Sequence, residues 1–211
     1  MAAKAKKAGG GKRGGARRNS PRRRDSEVLD AAAKVFYSRG YAAASVQDIA
    51  DELDILKGSL YHYIEKKEDL LFWLLKGSHD DVEGILEEIA ASDLPPLEQL
   101  REYTRRQVEY TSNNLVRMAI YYREASQLST ARRHQITSKR RAHEQFVASL
   151  IARAQESGEA KGGGDPALMA NFVFGSMIWV YRWYKPGRDR PPAEVAAACA
   201  DFVIDGVIGS R

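Results

Sequence analysis

Residues 55–71 read ILKGSLYHYIEKKEDLL. The small pair Gly58-Ser59 leads into Tyr61, His62 and Tyr63, then a charged Glu-Lys-Lys-Glu-Asp and two leucines. Neighbours on a helix point about 100° apart, so aromatic and polar groups at successive positions cannot all enter one core. Leu60 and Ile64 take the inward positions of a short helix predicted over 57–64. Lys57, Ser59, Tyr61, His62 and Tyr63 are left for something outside the chain.

The flanking sequence says what that is. Upstream, Val46, Ile49, Ala50 and Leu53 follow the i, i+3, i+4, i+7 spacing of an amphipathic helix, with Ser45 as its cap. Asp54 and Ile55 make a tight turn between the two helices. Further upstream, Val28, Leu29, Ala32, Val35 and Phe36 mark one face of a first helix. Asp25 and Ser26 are its cap candidates and Gly40 its end. Three short helices with a tight turn before the third describe a helix-turn-helix unit.

Downstream the pattern stays helical, with no strand alternation and no repeat at a solenoid period. Helices are predicted from Lys67 to about Ala90, then over about 96–112, 114–127 and 130–157. The breaks between them are Ser92-Asp93-Leu94-Pro95-Pro96 and the Lys161–Gly164 glycine loop. Asp165-Pro166 opens the next helix, Pro186-Gly187 closes it, and Pro191-Pro192 opens the last, which runs to about Ile208. The fold class is all-α with about nine helices, organised as a basic arm over 1–24, a helix-turn-helix domain over 25–72, and a larger helical domain over 73–211.

Charge narrows the partner further. The net charge is +5, yet residues 1–24 hold ten Lys or Arg and no acid, which leaves 23 basic residues against 28 acidic ones in the remainder. The basicity is therefore a tail. Its Gly, Ala, Lys and Arg cannot bury enough surface to fold, so disorder is expected there. It has no apolar stretch of a secretory signal. Arg22, Arg23 and Arg24, just ahead of the first helix, suit a cationic arm along a phosphate backbone better than a mere solubilising tail. A single cysteine, Cys199, permits no internal disulfide and fits a reducing compartment. No apolar run is long enough to span a bilayer. A cytoplasmic protein is expected, without membrane, metal or cofactor.

The stretch SVQDIADELDILKGSLYHYIEKKEDLL, residues 45–71, resembles the TetR family of bacterial transcriptional regulators. The likeness is carried by Ser45-Val46, Ile49-Ala50, Gly58-Ser59-Leu60-Tyr61-His62-Tyr63 and Lys67-Glu68-Asp69-Leu70. Asp54 stands where the family has a turn glycine, and Asp tolerates the left-handed conformation better than most residues. The resemblance implies a homodimer that binds a double-stranded DNA operator, with the eighth and ninth helices of each subunit forming a four-helix dimer bundle. In a helix-turn-helix the N-terminal residues of the second motif helix meet base edges in the major groove. Gly58 and Ser59 then permit close approach, Lys57 reaches a base or phosphate, and Gln47, beside Val46, can read adenine. Ser45, Tyr61, His62, Tyr63 and Lys67 are the types that hold phosphates.

Two other functions are open to the residues. An enzyme would need a nucleophile or metal, but Cys199 sits among alanines with no nearby histidine. His79, Asp80, Asp81 and Glu83 read as a solvated helix face, and His134 and His143 have no ligand-like spacing. An architectural DNA-binding protein would suit the tail, but not the size of the C-terminal part. Its segment 167–184, ALMANFVFGSMIWVYRWY, is apolar nearly all round and must be covered on several sides.

Tyr103, Tyr110, Met118, Tyr121, Tyr122, Phe146, Phe174, Ile178, Trp179 and Trp183 are candidates to line an effector cavity, and Arg117 to meet an anionic head group. Each apolar one is also a plausible plain core residue. IYYREASQL (120–128) and RWYKPG (182–187) are similar to actinobacterial members of the family that sense CoA thioesters, which implies a small, largely apolar effector, an acyl-CoA among the candidates.

Overall fold

The computed structural model describes residues 21–161 and 164–209, with side chains from Arg24 onward. The expected arm through residue 20, the side chains of Arg22 and Arg23, and Gly162-Gly163 of the glycine loop lie outside the described residues. Among those described there are nine α-helices and no strand: α1 (Pro21–Arg39), α2 (Val46–Glu52), α3 (Lys57–Leu60), α4 (Lys67–Ala90), α5 (Pro96–Asn113), α6 (Leu115–Glu124), α7 (Thr130–Glu156), α8 (Pro166–Trp183) and α9 (Pro192–Ile208). A 3-10 turn, Ala125–Gln127, links α6 to α7. Four of the helices open on a proline (α1, α5, α8 and α9), which needs no partner for the N–H it lacks.

Three boundaries differ from the sequence reading. The first helix begins at Pro21, a turn before the expected Asp25–Ser26 cap, so Arg22–Arg24 belong to α1 rather than to an arm. The third helix stops at Leu60 instead of Ile64. There His62 N–H reaches Ser59 O and Tyr63 N–H reaches Leu60 O, the tighter i to i+3 pattern that ends a short helix. The sixth ends at Glu124, its last expected turn tightening into the 3-10 segment.

Two apolar clusters form the core. The first joins Val28, Ala32 and Phe36 of α1, Ile49 of α2 and Leu60 of α3 to Leu70, Leu71, Leu74 and Leu75 of α4. Ile120 and Tyr121 of α6 and Ile136 of α7 complete it. The second joins Leu100 and Tyr103 of α5, Leu150 and Ile151 of α7, Val173 and Met177 of α8, and Val203 and Ile204 of α9. The helix-turn-helix therefore does not close on itself at residue 72. It is completed by α4, α6 and α7, the helices that also lead into the second cluster.

Candidate nucleic-acid interface and internal cavity

The candidate reading head, α2 with α3, is held from behind by backbone-directed polar groups. Ser45 caps α2: its hydroxyl accepts from Asp48 N–H at 3.1 Å, while Asp48 Oδ2 accepts from Ser45 N–H at 2.7 Å. Arg39 also pairs with Asp48. The turn after α2 places Asp54 at φ 52°, the left-handed conformation that the sequence anticipates. Leu60 and Ile64 are buried in the first cluster, as the spacing requires.

What remains faces outward. Gln47, Lys57, Gly58, Tyr61 and His62 are exposed and Ser59 is half-buried, while Tyr63 and Val46 pack partly against the core. A Cβ added to Gly58 would meet nothing in this chain, so any need for a small residue there must come from a partner. Gln47 is steadied by its amide donating to Asp51 at 2.6 Å. Sequence reasoning passed over Leu56, a large apolar side chain 80% exposed at the start of α3. Its signal was Ile55-Leu56 in a turn that has room to bury one of them.

Lys67 has a different place from the one expected. Its ammonium donates to Tyr41 O and Ala44 O, both at 2.7 Å, and lies 4.3 Å from the Tyr41 ring centre. With two of its three N–H groups turned into the α1–α2 loop, it is chiefly a clamp on that loop. Beside it, Asp69 Oδ2 accepts from the N–H groups of Glu65 and Lys66 at 2.9 Å each, closing the start of α4. Asp69 Oδ1 accepts from Arg132 of α7 at 2.6 Å, and Glu68 accepts from Ser129 N–H at 2.8 Å. Bonds from Lys66 and Ser129 hold the Glu68 carboxyl down at about 2.

Helices α4 to α8 line a partly open cavity of about 50 Å³. Its lining comes from Ser78, His79 and Val82 of α4, Tyr103 and Gln107 of α5, and Met118, Tyr121 and Tyr122 of α6. Arg140 and His143 of α7 and Phe174 and Ile178 of α8 complete it. Tyr121 and His79 share a 2.7 Å hydrogen bond, and His143 lies edge-on to His79 at 5.5 Å. Burial, helped by neighbouring His143 and Lys139, pushes the His79 ring down to about 4, so it is neutral near pH 7. Burial pushes the Tyr121 phenol up to about 12.

Six of the eleven proposed ligand residues thus meet at one place: Tyr103, Met118, Tyr121, Tyr122, Phe174 and Ile178. Phe146 stands behind them, edge-on to Tyr103 at 5.7 Å. The other four do not reach the cavity. Arg117 pairs with Asp30 of α1 at 3.0 Å, and Trp179 and Trp183 are 60% and 45% exposed on the far side of α8. Tyr110 also turns away, its hydroxyl donating to Asp81 at 2.8 Å. Of the solvated face expected at His79, Asp80, Asp81 and Glu83, only His79 departs outright: Asp80 and Asp81 are exposed, and Glu83 is half-buried. The seventh helix covers that side of α4, burying His79 and placing Lys139 at 3.0 Å from Asp80 and 2.5 Å from Glu83. No group of three or more His, Cys, Asp and Glu suited to a metal occurs among the described residues.

The outer face of α8 carries Leu168, Phe172, Trp179 and Trp183 in one stripe, next to Phe202 of α9, all substantially exposed. Its inner face carries the buried Ala170, Val173, Met177 and Val180. The all-round apolarity of segment 167–184 is therefore two faces, one used within this chain. Cys199 borders the outer groove, its thiol pushed up to about 11 by burial, which suits a packed side chain.

The capped, outward-facing α2–α3 pair and the helices behind it have counterparts in known proteins. Residues 28–73 match the model of the bacterial regulatory proteins of the tetR family, and residues 93–207 match a tetracyclin repressor-like C-terminal domain. The chain belongs to the TetR family. It is 31% identical over 185 residues to the HTH-type transcriptional repressor KstR2 of Rhodococcus jostii, covering 87% of this chain and 91% of that one. The solved structure of the ketosteroid transcriptional regulator KstR2 of Mycobacterium tuberculosis superposes with a TM-score of 0.82 at 30% identity, covering 87% and 94% of the two chains. The regulator AibR, solved with isovaleryl coenzyme A and operator DNA, superposes at 0.77 with 26% identity, covering 85% and 97%. This TetR-family chain is accordingly a DNA-binding transcriptional regulator. No helix among its described residues is long and apolar enough to cross a membrane.

Proposed function

We propose that the protein is a cytoplasmic homodimeric repressor, released from a palindromic operator when a small, largely apolar metabolite enters the cavity between α4 and α8. One observation carries this reading: α4, α6 and α7 both wall the cavity and complete the core of the reading head. A ligand that displaces α4 from α7 there must disturb the Asp69–Arg132 and Glu68–Ser129 contacts at the base of the head. Binding releases DNA to the extent that the ligand favours the arrangement that does not fit the operator. An acyl-CoA or another lipid-like effector fits the apolar lining, and the isovaleryl coenzyme A bound by AibR supports that class. At about 50 Å³ the cavity holds only a water or two, so an acyl group enters by pushing its walls apart.

On DNA, Lys57, Gly58, Ser59 and Gln47 face base edges, Leu56 offers an apolar contact for a thymine methyl group, and Tyr61 and His62 hold phosphates. The basic N-terminal residues, Arg22–Arg24 included, add sequence-independent attraction. The stripe Leu168, Phe172, Trp179 and Trp183 pairs with its copy in a second chain. Fluorescence anisotropy with DNA from upstream of the protein's own gene tests the whole. A saturable, salt-sensitive complex that a panel of acyl-CoAs or free lipids dissociates is expected. Phe172→Glu should yield monomers with much weaker operator binding. A complex that no member of the panel dissolves would favour an architectural DNA-binding protein without effector.

A further inference from the structure

Two buried polar atoms at the cavity have no partner: the Tyr103 hydroxyl and the Gln107 side-chain oxygen. Tyr103 is fully buried and Gln107 is 9% exposed. They stand four apart on α5, so they lie side by side on one face of that helix. The Gln107 amide nitrogen is drawn toward Thr111 Oγ1, at 3.4 Å, which turns the oxygen the other way. Buried polar atoms in native proteins are nearly always paired with protein, water or ligand. Both are unpaired, on neighbouring positions of one helix face, and both residues line the cavity.

Their chemistry specifies the group that would satisfy both. The Gln107 oxygen only accepts, so it requires a donor, while the Tyr103 hydroxyl can donate. A hydroxyl group donates to the first and accepts from the second at once. A ketone oxygen could serve Tyr103 alone. A carboxylate would set its negative charge against the Gln107 oxygen without a counter-charge. The guanidinium in the lining, that of Arg140, already has Glu144 as a counter-charge, its Nε donating at 2.8 Å, and the buried histidines are neutral near pH 7. Val82, Met118, Phe174 and Ile178 leave the rest of the lining apolar, and a methionine gives way readily to an incoming body.

We infer that the cavity takes an apolar molecule bearing an uncharged hydroxyl group, read jointly by Tyr103 and Gln107. The inference rests on the cavity being the effector site proposed above. The hydroxyl can arrive on a free alcohol or on the acyl chain of a hydroxyacyl thioester.

The full-length protein, titrated by ligand-detected NMR with cyclohexanol, cyclohexanone, cyclohexanecarboxylate and cyclohexane, separates these chemistries. A second arm compares 3-hydroxyhexanoyl-CoA with hexanoyl-CoA. A hydroxyl advantage of about threefold to tenfold is expected in at least one arm, since each neutral hydrogen bond contributes about that factor. Preference in the first arm identifies a free alcohol, and in the second a hydroxyacyl thioester. Tyr103→Phe and Gln107→Met should each remove most of the advantage while leaving affinity for cyclohexane, or for hexanoyl-CoA, unchanged. Unaltered operator binding shows that the variants fold. No hydroxyl preference in either arm, or a preference that survives both substitutions, overturns the inference. Operator release is followed in parallel. Hydroxyl-dependent binding that leaves the operator complex intact upholds the ligand assignment and sinks the release mechanism. Release by ligands without any hydroxyl preference does the reverse.

Discussion

The reading head turns its polar side chains outward, and the cavity turns its own inward. At the head, Lys57, Tyr61 and His62 come from one short stretch, α3 and the turn that follows it, whose buried residue is Leu60. At the cavity, Ser78 and His79, Gln107, and His143 come from three long helices and meet only because those helices are rotated toward one another. The first arrangement is local and costs the fold little, since each polar group keeps its water. The second withdraws polar groups from water, so each must find a partner or a ligand. Substitutions in the head should therefore separate stability from DNA binding. Substitutions at the cavity should couple stability to protonation and to ligand.

The largest effect should come at the one buried residue of α3. Leu60→Ala opens a cavity in a fully buried site and should cost about 2–5 kcal/mol of stability. Tyr61→Ala, next to it and 48% exposed, should leave the melting temperature almost unchanged while weakening operator binding by about 1–3 kcal/mol. Thermal denaturation and anisotropy on both variants decide the matter. Equal losses of stability would erase the distinction between inner and outer faces.

At the cavity the test is pH. His79 has its pKa lowered by burial from 6.5 to about 4, so the unfolded chain binds the proton more tightly. Its contribution is complete above pH 6.5 and is lost as the pH falls toward 4. At pH 5 the loss from this group is about 2 kcal/mol. His143, also lowered chiefly by burial, acts in the same direction, with Lys139, Asp80, Glu83 and Glu144 as the charged groups around the pair. His79→Gln keeps a hydrogen-bonding group for Tyr121 and should flatten the decline between pH 7 and 5, leaving the share that belongs to His143. Denaturant unfolding at several pH values measures it. An unchanged slope in the variant would mean that the ring titrates as if in water.

These contrasts explain what could be read from the sequence. Leu60, Ile64, Ile49 and Ala50 declare themselves because a short amphipathic helix fixes its buried face by spacing alone. Asp54 declared its left-handed turn by residue type. His79 and His143 did not, because their burial depends on α7 lying across α4. The sparse apolar residues of α7, Ile136, Val147, Leu150 and Ile151, do not announce which side it presents. Trp179 and Trp183 show the opposite failure. Their spacing places them on one face, but α8 has two apolar faces, and spacing cannot say which one looks inward.

Lys67 sharpens the comparison inside the head itself. Lys57 and Lys67 are both basic and both were expected on DNA, yet only Lys57 is free of the fold in this geometry. Lys67→Met removes the bonds to Tyr41 O and Ala44 O and should lower stability by about 1–3 kcal/mol, because two loop carbonyls lose their partner. Lys57→Ala should leave stability within about 0.5 kcal/mol of wild type and weaken operator binding instead. If Lys67→Met lost DNA affinity at every salt concentration with no change in melting temperature, its ammonium would reach phosphate after all.

The smallest effect should arise at Asp54, where the chain departs from the family's glycine. A non-glycine residue at φ 52° costs about 1–2 kcal/mol, less for Asp, a residue type that visits this region more readily than most. Glycine would remove that strain but would lose more freedom on folding, by about 0.5–1 kcal/mol. The two terms nearly cancel, so Asp54→Gly should change stability by no more than about 0.5 kcal/mol in either direction. Asp54→Ala has neither the freedom of glycine nor the tolerance of aspartate for the left-handed region and should cost about 1 kcal/mol. Because the turn sets the angle between α2 and α3, operator binding should fall for the alanine variant and hold for the glycine variant. Chemical denaturation and anisotropy resolve both differences. A gain well beyond 0.5 kcal/mol for Asp54→Gly would show that this turn stores strain, and the head would no longer be the region whose polar residues cost the fold little.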